Sequence, residues 1–293
     1  MALSDVLAHY TSTQTLINHI GPEGRLKLTP LSQSNDPAES YSWDFSYSGS
    51  GNIDFLSVQR EFQQIAKSFI QERVKICCFC QPNRRADVWF KPRMWATYGD
   101  RSRGVALLFS KKKLHSIAEK ALNTKTYWAG RVRYVNLHTP DTKGRRTTEQ
   151  ILSRCVFLDR VSQIGALAEL QRMIKNNWED FFFFKHSDWK DEREYRIAVF
   201  DESNEILKLP IEGALMEIVL GPDVDRSKIP AVVEARNHLE PRPFLWLVDR
   251  MSDGTFFTVP APFYSEETIP EGQILDAERR VLHRMFKHLA DNS

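Results

Sequence analysis

The run Glu192–Arg193–Glu194–Tyr195–Arg196–Ile197–Ala198–Val199–Phe200, preceded by Lys185 and Trp189, constrains this chain more than any other. Its second half is apolar and of strand length, and strand side chains alternate between two faces. Glu192, Glu194 and Arg196 then line one face, with Arg193, Tyr195, Ile197 and Val199 on the other. Two carboxylates and a guanidinium are costly to bury unpaired. A fold that keeps them on one strand must pair them internally or set them along a polar cleft. The first outcome is an ion-pair ladder across neighbouring strands, and the second is a site.

The 293 residues suffice for a substantial core in one large domain or two small ones. Hydrophobic residues make up 42% and charged residues 27%, which are ordinary globular values. A net charge of +2 gives no electrostatic reason to expect nucleic-acid binding. No secretory signal is visible at the N-terminus, and the aromatic run Phe181–Phe184 is too short to span a bilayer. These points predict a soluble, cytoplasmic protein that does not engage a membrane. Cys77, Cys78 and Cys80 crowd into one apolar segment without zinc spacing and Cys155 stands apart, so core packing in a reducing compartment is expected.

Along the chain, strands and helices interleave without regular alternation, which predicts an α+β fold and not a doubly wound sheet. Strands are expected at Val6–Tyr10, Arg25–Leu28, Ile76–Cys80, Gly104–Phe109, Arg131–Val135 and Phe244–Val248, with another ending at Val219–Gly221. Thr11 and Gln14 fit a capping box that opens a helix through about Ile20. Residues 32–52, with Tyr41, Trp43, Phe45 and Tyr47 spaced by two, read as a loop with one exposed strand. Helical spacing predicts helices over Ile53–Arg73 and Thr147–Trp178, the latter broken near Gly165. Further helices are expected near Met94–Tyr98, after Lys111–Lys113, over Arg226–Leu239 and over Leu275–Leu289. Gly99 falls where a left-handed cap residue belongs.

Several clusters carry polar chemistry. His9–Tyr10–Thr11–Ser12 sits where a strand meets a capped helix, with His9 and Thr11 on one face and Tyr10 on the other. Free N–H groups at such a junction can meet a ligand, and equally Thr11 or Ser12 can do no more than cap. Asn35–Asp36–Pro37 is a turn former. Met94 and Trp95 lie within helical reach of Tyr98, as a core group or a stacking platform. No P-loop, dinucleotide fingerprint, His-Glu-x-x-His or nucleophile elbow occurs, which excludes the enzyme classes that those motifs mark.

Taken in order, these motifs resemble the bacterial domain-of-unknown-function family 2971 over roughly residues 7–222. The landmarks are His9–Ser12, Leu31 with Asn35–Pro37, Cys78–Phe79, Met94–Trp95 with Tyr98–Gly99, and Gly104–Phe109. Val132–Tyr134, then Lys185, Trp189, Glu192, Glu194 and Arg196, and finally Ile218–Gly221 complete them. Cys80 and Asp191 depart from the family pattern without touching its charged positions. The resemblance implies one α+β domain over 1–222, with 223–293 as a strand and helix extension packed on it.

A second, remote resemblance is to the ADP-ribosyltransferases, through an early His-Tyr pair, central aromatics and a late Glu-x-Glu. It implies a split, twisted, mixed or antiparallel sheet with flanking helices and NAD as substrate in a cleft. On that resemblance Glu194 or Glu192 is the catalytic carboxylate and His9 holds ribose, with Thr11 and Ser12 beside it. Tyr10, Tyr98 or Trp95 stacks on the cofactor, while Arg196 and Lys185 meet phosphate or orient the acids. A bacterial toxin or effector, phage defence included, would act on a protein or nucleic-acid acceptor or hydrolyse NAD, with an antitoxin or a second copy as partner. Two other classes compete. One is a Mg²⁺-dependent nuclease using Asp36, Glu192, Glu194 and Lys185. The other is a non-catalytic recognition protein or antitoxin whose charges are structural pairs.

Overall fold

The computed structural model describes residues 5–36, 39, 45–49, 54–83, 88–89, 91–135, 154–203, 205–250 and 256–261. The chain is α+β with mixed strand pairing, and it divides into two compact units. The first takes Met1–Arg25, Gln81–Ile117 and Pro210–Ser293, and the second takes Leu26–Cys80 and Ala118–Leu209.

In the first unit the apolar runs become neighbouring strands in the order Phe256–Pro260, Phe244–Arg250, Leu215–Leu220, Val105–Ser110 and Val6–Thr11. Phe244–Arg250 lies parallel to Leu215–Leu220, and the other three pairings are antiparallel. Val105–Ser110 is buried throughout, and a strand pairs along each of its edges. Along Val6–Thr11, Tyr10 is buried while His9 and Thr11 are half-buried, so the sequence alternation becomes two faces.

The helix that follows starts one residue later than its capping pattern predicts. Thr11 is still in strand register with Val105, and Ser12 is the cap, its Oγ accepting the Thr15 N–H at 3.0 Å. Helical backbone continues past Gly21 and Pro22 to Glu23, with a π-turn over Leu16–Ile20, and stops at left-handed Gly24. The helix Pro92–Tyr98 is also corrected at its end. Gly99 has φ −96° and is not left-handed, but a Cβ there would meet the Trp95 ring and backbone at 2.7–3.1 Å. The left-handed residues are the next three, Asp100, Arg101 and Ser102, with φ of 48°, 54° and 71°.

In the second unit Thr29–Pro30, Val74–Cys80, Glu194–Phe200 and Thr126–Arg131 pair in that order, all antiparallel. Two short parallel pairs accompany them, Phe184–His186 with Arg133–Val135 and Ser46–Ser48 with Cys155–Phe157. The helices Phe55–Arg73 and Ala166–Phe182 present Phe62, Ala66 and Ile70, and Leu170, Met173 and Ile174, at helical spacing. These side chains pack with Ile76 and Ala198 into one core, which Phe181, Phe182 and Phe183 extend.

The helical stretch expected over 147–178 breaks near Gly165 as expected, into Leu158–Ile164 and Ala166–Phe182, but its earlier part contains a strand, Cys155–Phe157, and residues 147–153 lie outside the described residues. The break falls at Gly165, whose φ of 87° suits glycine. The expected strand Arg131–Val135 divides into Thr126–Arg131 and Arg133–Val135, because Arg133 turns its N–H to the Phe183 carbonyl. The helix expected over Arg226–Leu239 opens as a 3₁₀ turn, Arg226–Lys228, before Ile229–Asn237. The predicted helix Leu275–Leu289, together with Pro37, Tyr41 and Trp43, lies outside the described residues. Among the described residues no helix is long and apolar enough to cross a membrane.

Candidate functional site

The acidic run folds in two pieces. Ser187–Glu192 is a 3₁₀ helix, Arg193 is left-handed with φ 47°, and the strand begins only at Glu194. Glu192 is therefore not on the strand face that alternation assigns to it. The 3₁₀ turn nevertheless returns its carboxylate to the same lysine that Glu194 meets. Lys185 Nζ lies 3.2 Å from Glu192 Oε2 and 2.8 Å from Glu194 Oε2. The second contact is an ion pair and not a hydrogen bond. Trp189 covers the lysine, its ring centroid 5.3 Å from Nζ.

Glu194 and Arg196 do share a face, as expected, with Ala198 of the core beyond them. Arg196 donates Nε to Glu194 Oε1 at 2.6 Å and Nη1 to the Phe182 carbonyl at 2.7 Å. That carbonyl ends the helix Ala166–Phe182, where the helix dipole favours a cation. Nη1 and Nη2 also donate to Glu39 Oε1 and Oε2, at 2.6 and 3.3 Å. Arg196 is fully buried, and Glu39, Lys185, Glu192 and Glu194 are each 4–5% exposed.

Three carboxylates thus face two cations, leaving a formal charge of −1 in a buried cluster. Burial pushes the Glu194 carboxyl up, but Arg196 and Lys185 outweigh it and hold the group well below the usual carboxylate range. Burial works against a charged Lys185 too, and Glu194 and Glu39 raise it above an ordinary lysine. Two neutral groups close the cluster. The Tyr134 hydroxyl accepts the Glu194 N–H at 2.7 Å, and burial drives its own ionisation upward. Cys78, opposite Arg196 in the strand register, is also raised by burial and hydrogen-bonds Glu194.

Glu39 escaped sequence reasoning. Its signal was the acid three residues beyond Asp36 in Asn35–Asp36–Pro37–Ala38–Glu39, but only the folded chain shows its partner. Two contacts seat it: the Glu39 N–H reaches the Asp36 carbonyl at 2.9 Å, and Ser34 Oγ donates to Glu39 Oε2 at 2.6 Å. Ser34 Oγ also accepts the Asp36 N–H at 3.3 Å.

Of the other candidates, Lys185, Glu192, Glu194 and Arg196 belong to the second unit, and His9, Tyr10, Thr11, Ser12, Trp95 and Tyr98 to the first. Within the first unit Tyr10 and Trp95 meet edge to face, with centroids 5.1 Å apart. The Tyr10 hydroxyl donates to the Val88 carbonyl at 2.5 Å, and both rings are buried. Tyr98 and His9 are half-buried. Among the described residues no group of three or more His, Cys, Asp or Glu side chains could hold a metal ion.

Residues 94–197 match the family model described as Protein of unknown function (DUF2971). No curated protein and no solved structure matches the chain.

Proposed function

Taking the DUF2971 segment over residues 94–197 as the premise, we propose that the chain cleaves NAD, as an ADP-ribosyltransferase or NAD glycohydrolase. The observation that carries this reading is the buried cluster with one carboxylate in excess, in which Glu194 is kept ionised. Breaking the nicotinamide–ribose bond places positive charge on the ribose ring, and a fixed carboxylate in a low-dielectric setting stabilises that charge. The C1′–N bond breaks and its electron pair leaves with neutral nicotinamide. Water, or an acceptor nucleophile on a protein or nucleic acid, then bonds C1′ and loses a proton. Glu194 is the candidate catalytic carboxylate, and Glu192, which shares Lys185 with it, is the second.

The proposal rests on the second unit alone, which holds Lys185, Glu192, Glu194 and Arg196, whereas His9, Tyr10, Thr11, Ser12, Trp95 and Tyr98 belong to the first.

A second reading draws on the burial of Glu194 and Arg196, 4% and 0% exposed. In it the cluster is a structural ion-pair network in a non-catalytic recognition protein or antitoxin. Nicotinamide release from NAD by wild type and Glu194→Gln separates the two. Release that the substitution abolishes supports cleavage. Equal absence of release, with a lowered unfolding midpoint in Glu194→Gln, overturns it in favour of the structural network.

A further inference from the structure

We infer that Glu39 is a positioning residue, which fixes the direction in which Arg196 meets Glu194; the inference rests on the reading of Glu194 as the reacting carboxylate. Arg196 has one guanidinium for three acceptors, and their placement is not interchangeable. Nε goes to Glu194 and the two terminal nitrogens go to Glu39, with Nη1 shared by the Phe182 carbonyl. A guanidinium is planar, so holding two of its nitrogens fixes where the third points. Glu39 grips Nη1 at 2.6 Å and Nη2 at 3.3 Å, and Nε is thereby aimed at Glu194 Oε1. Glu194 Oε2 is left for Lys185. A carboxylate whose two oxygens have fixed cationic neighbours keeps one orientation, which charge stabilisation of a transition state requires.

This assigns a purpose to Ser34 and Asp36. The Asp36 carbonyl accepts the Glu39 N–H, and the Ser34 hydroxyl holds one oxygen of the Glu39 carboxylate. Glu39 lies 157 positions before Arg196, so the link is made only by folding. Glu39 is also the second carboxylate on Arg196, so its removal leaves Glu194 as the one carboxylate that the guanidinium meets among the described residues.

The test has two arms. The Arg196 Nε–H, observed by ¹H–¹⁵N NMR and assigned by its loss in Arg196→Lys, reports the contact with Glu194 whether or not NAD is cleaved. Glu39→Gln is expected to speed its exchange with solvent at least about tenfold. Glu39→Asp is expected to restore part of the protection. Should Glu39→Gln fail to fold, Ser34→Ala keeps every charge of the cluster while loosening Glu39, and a smaller rise in the same exchange rate is expected. An unchanged Nε–H exchange rate in a folded variant overturns the inference.

In the second arm, Glu39→Gln is expected to lower kcat for nicotinamide release about tenfold with the KM for NAD unchanged. A raised KM with unchanged kcat overturns positioning in favour of a binding role. If wild-type protein releases no nicotinamide, the NAD reading fails, while the exchange measurement still decides whether Glu39 fixes Arg196 on Glu194.

Discussion

Arg196 is the residue on which the second unit's polar interior turns. A guanidinium with no exposed surface must find acceptors inside the protein, and it has two carboxylates and a helix-terminal carbonyl. Glu194→Gln leaves Arg196 paired with Glu39 and Lys185 paired with Glu192, so the loss is that of a charge-assisted hydrogen bond, which costs about 1.5–3 kcal/mol. Glu194→Gln is therefore expected to lower stability by that amount, read from the urea midpoint at constant m-value. The pH dependence follows from the depressed carboxyls. Asp201 behaves as Glu194 does: burial raises it, but hydrogen bonds from Lys125, Lys75 and Ser203 hold it below the usual range. A carboxyl lowered on folding contributes stability above its unfolded pKa, near 4, and loses that contribution as pH falls through the folded value. Lys185 is raised, so its contribution is complete at neutral pH and is lost only above the ordinary lysine range. Unfolding free energy is accordingly expected to fall steadily below about pH 5. Glu194→Gln is expected to flatten that slope, and an acid limb parallel to wild type would contradict the assignment.

At the scale of elements, the apolar strands and the two long helices of the second unit were legible, the strands as short apolar runs buried on both faces and the helices by their period of 3.6. The junctions were not. Alternation sets Glu192 on one strand face with Glu194, yet the 3₁₀ helix Ser187–Glu192 and left-handed Arg193 set the two acids on different elements. The Lys185–Glu194–Arg196 grouping could be read locally, whereas Glu39 could not, because no periodicity links positions 39 and 196. The turn after Pro92–Tyr98 shows the same limit. Three successive residues there are left-handed without being glycine, each costing about 1–2 kcal/mol. Arg101 is exposed, so Arg101→Gly is expected to raise stability by about 0.5–1 kcal/mol once the added freedom of the unfolded chain is deducted. The adjacent Gly104 answers the opposite way. A Cβ there would overlap the Thr11 carbonyl and crowd Gly99, so Gly104→Ala is expected to cost about 1–3 kcal/mol. Thermal unfolding of the two variants beside wild type checks both signs.

For the whole molecule, the matched segment 94–197 does not coincide with either unit. It contains Val105–Ser110 but neither strand beside it, since Val6–Thr11 precedes the segment and Leu215–Leu220 follows it. It reaches the first residues of Glu194–Phe200 yet omits Val74–Cys80, which pairs along the full length of that strand. Phe62, Ala66 and Ile70, which cover Leu170 and Met173 in the core, are missing as well, as is Glu39. An excised 94–197 would thus expose unpaired strand edges and leave Arg196 without one of its two carboxylates. Such a fragment is expected to show no cooperative urea transition and to bind a hydrophobic dye, while the full chain unfolds sigmoidally. A cooperative transition in the fragment would mean that the segment carries its own core, and that the strands and helix outside it are additions to a fold instead of parts of one.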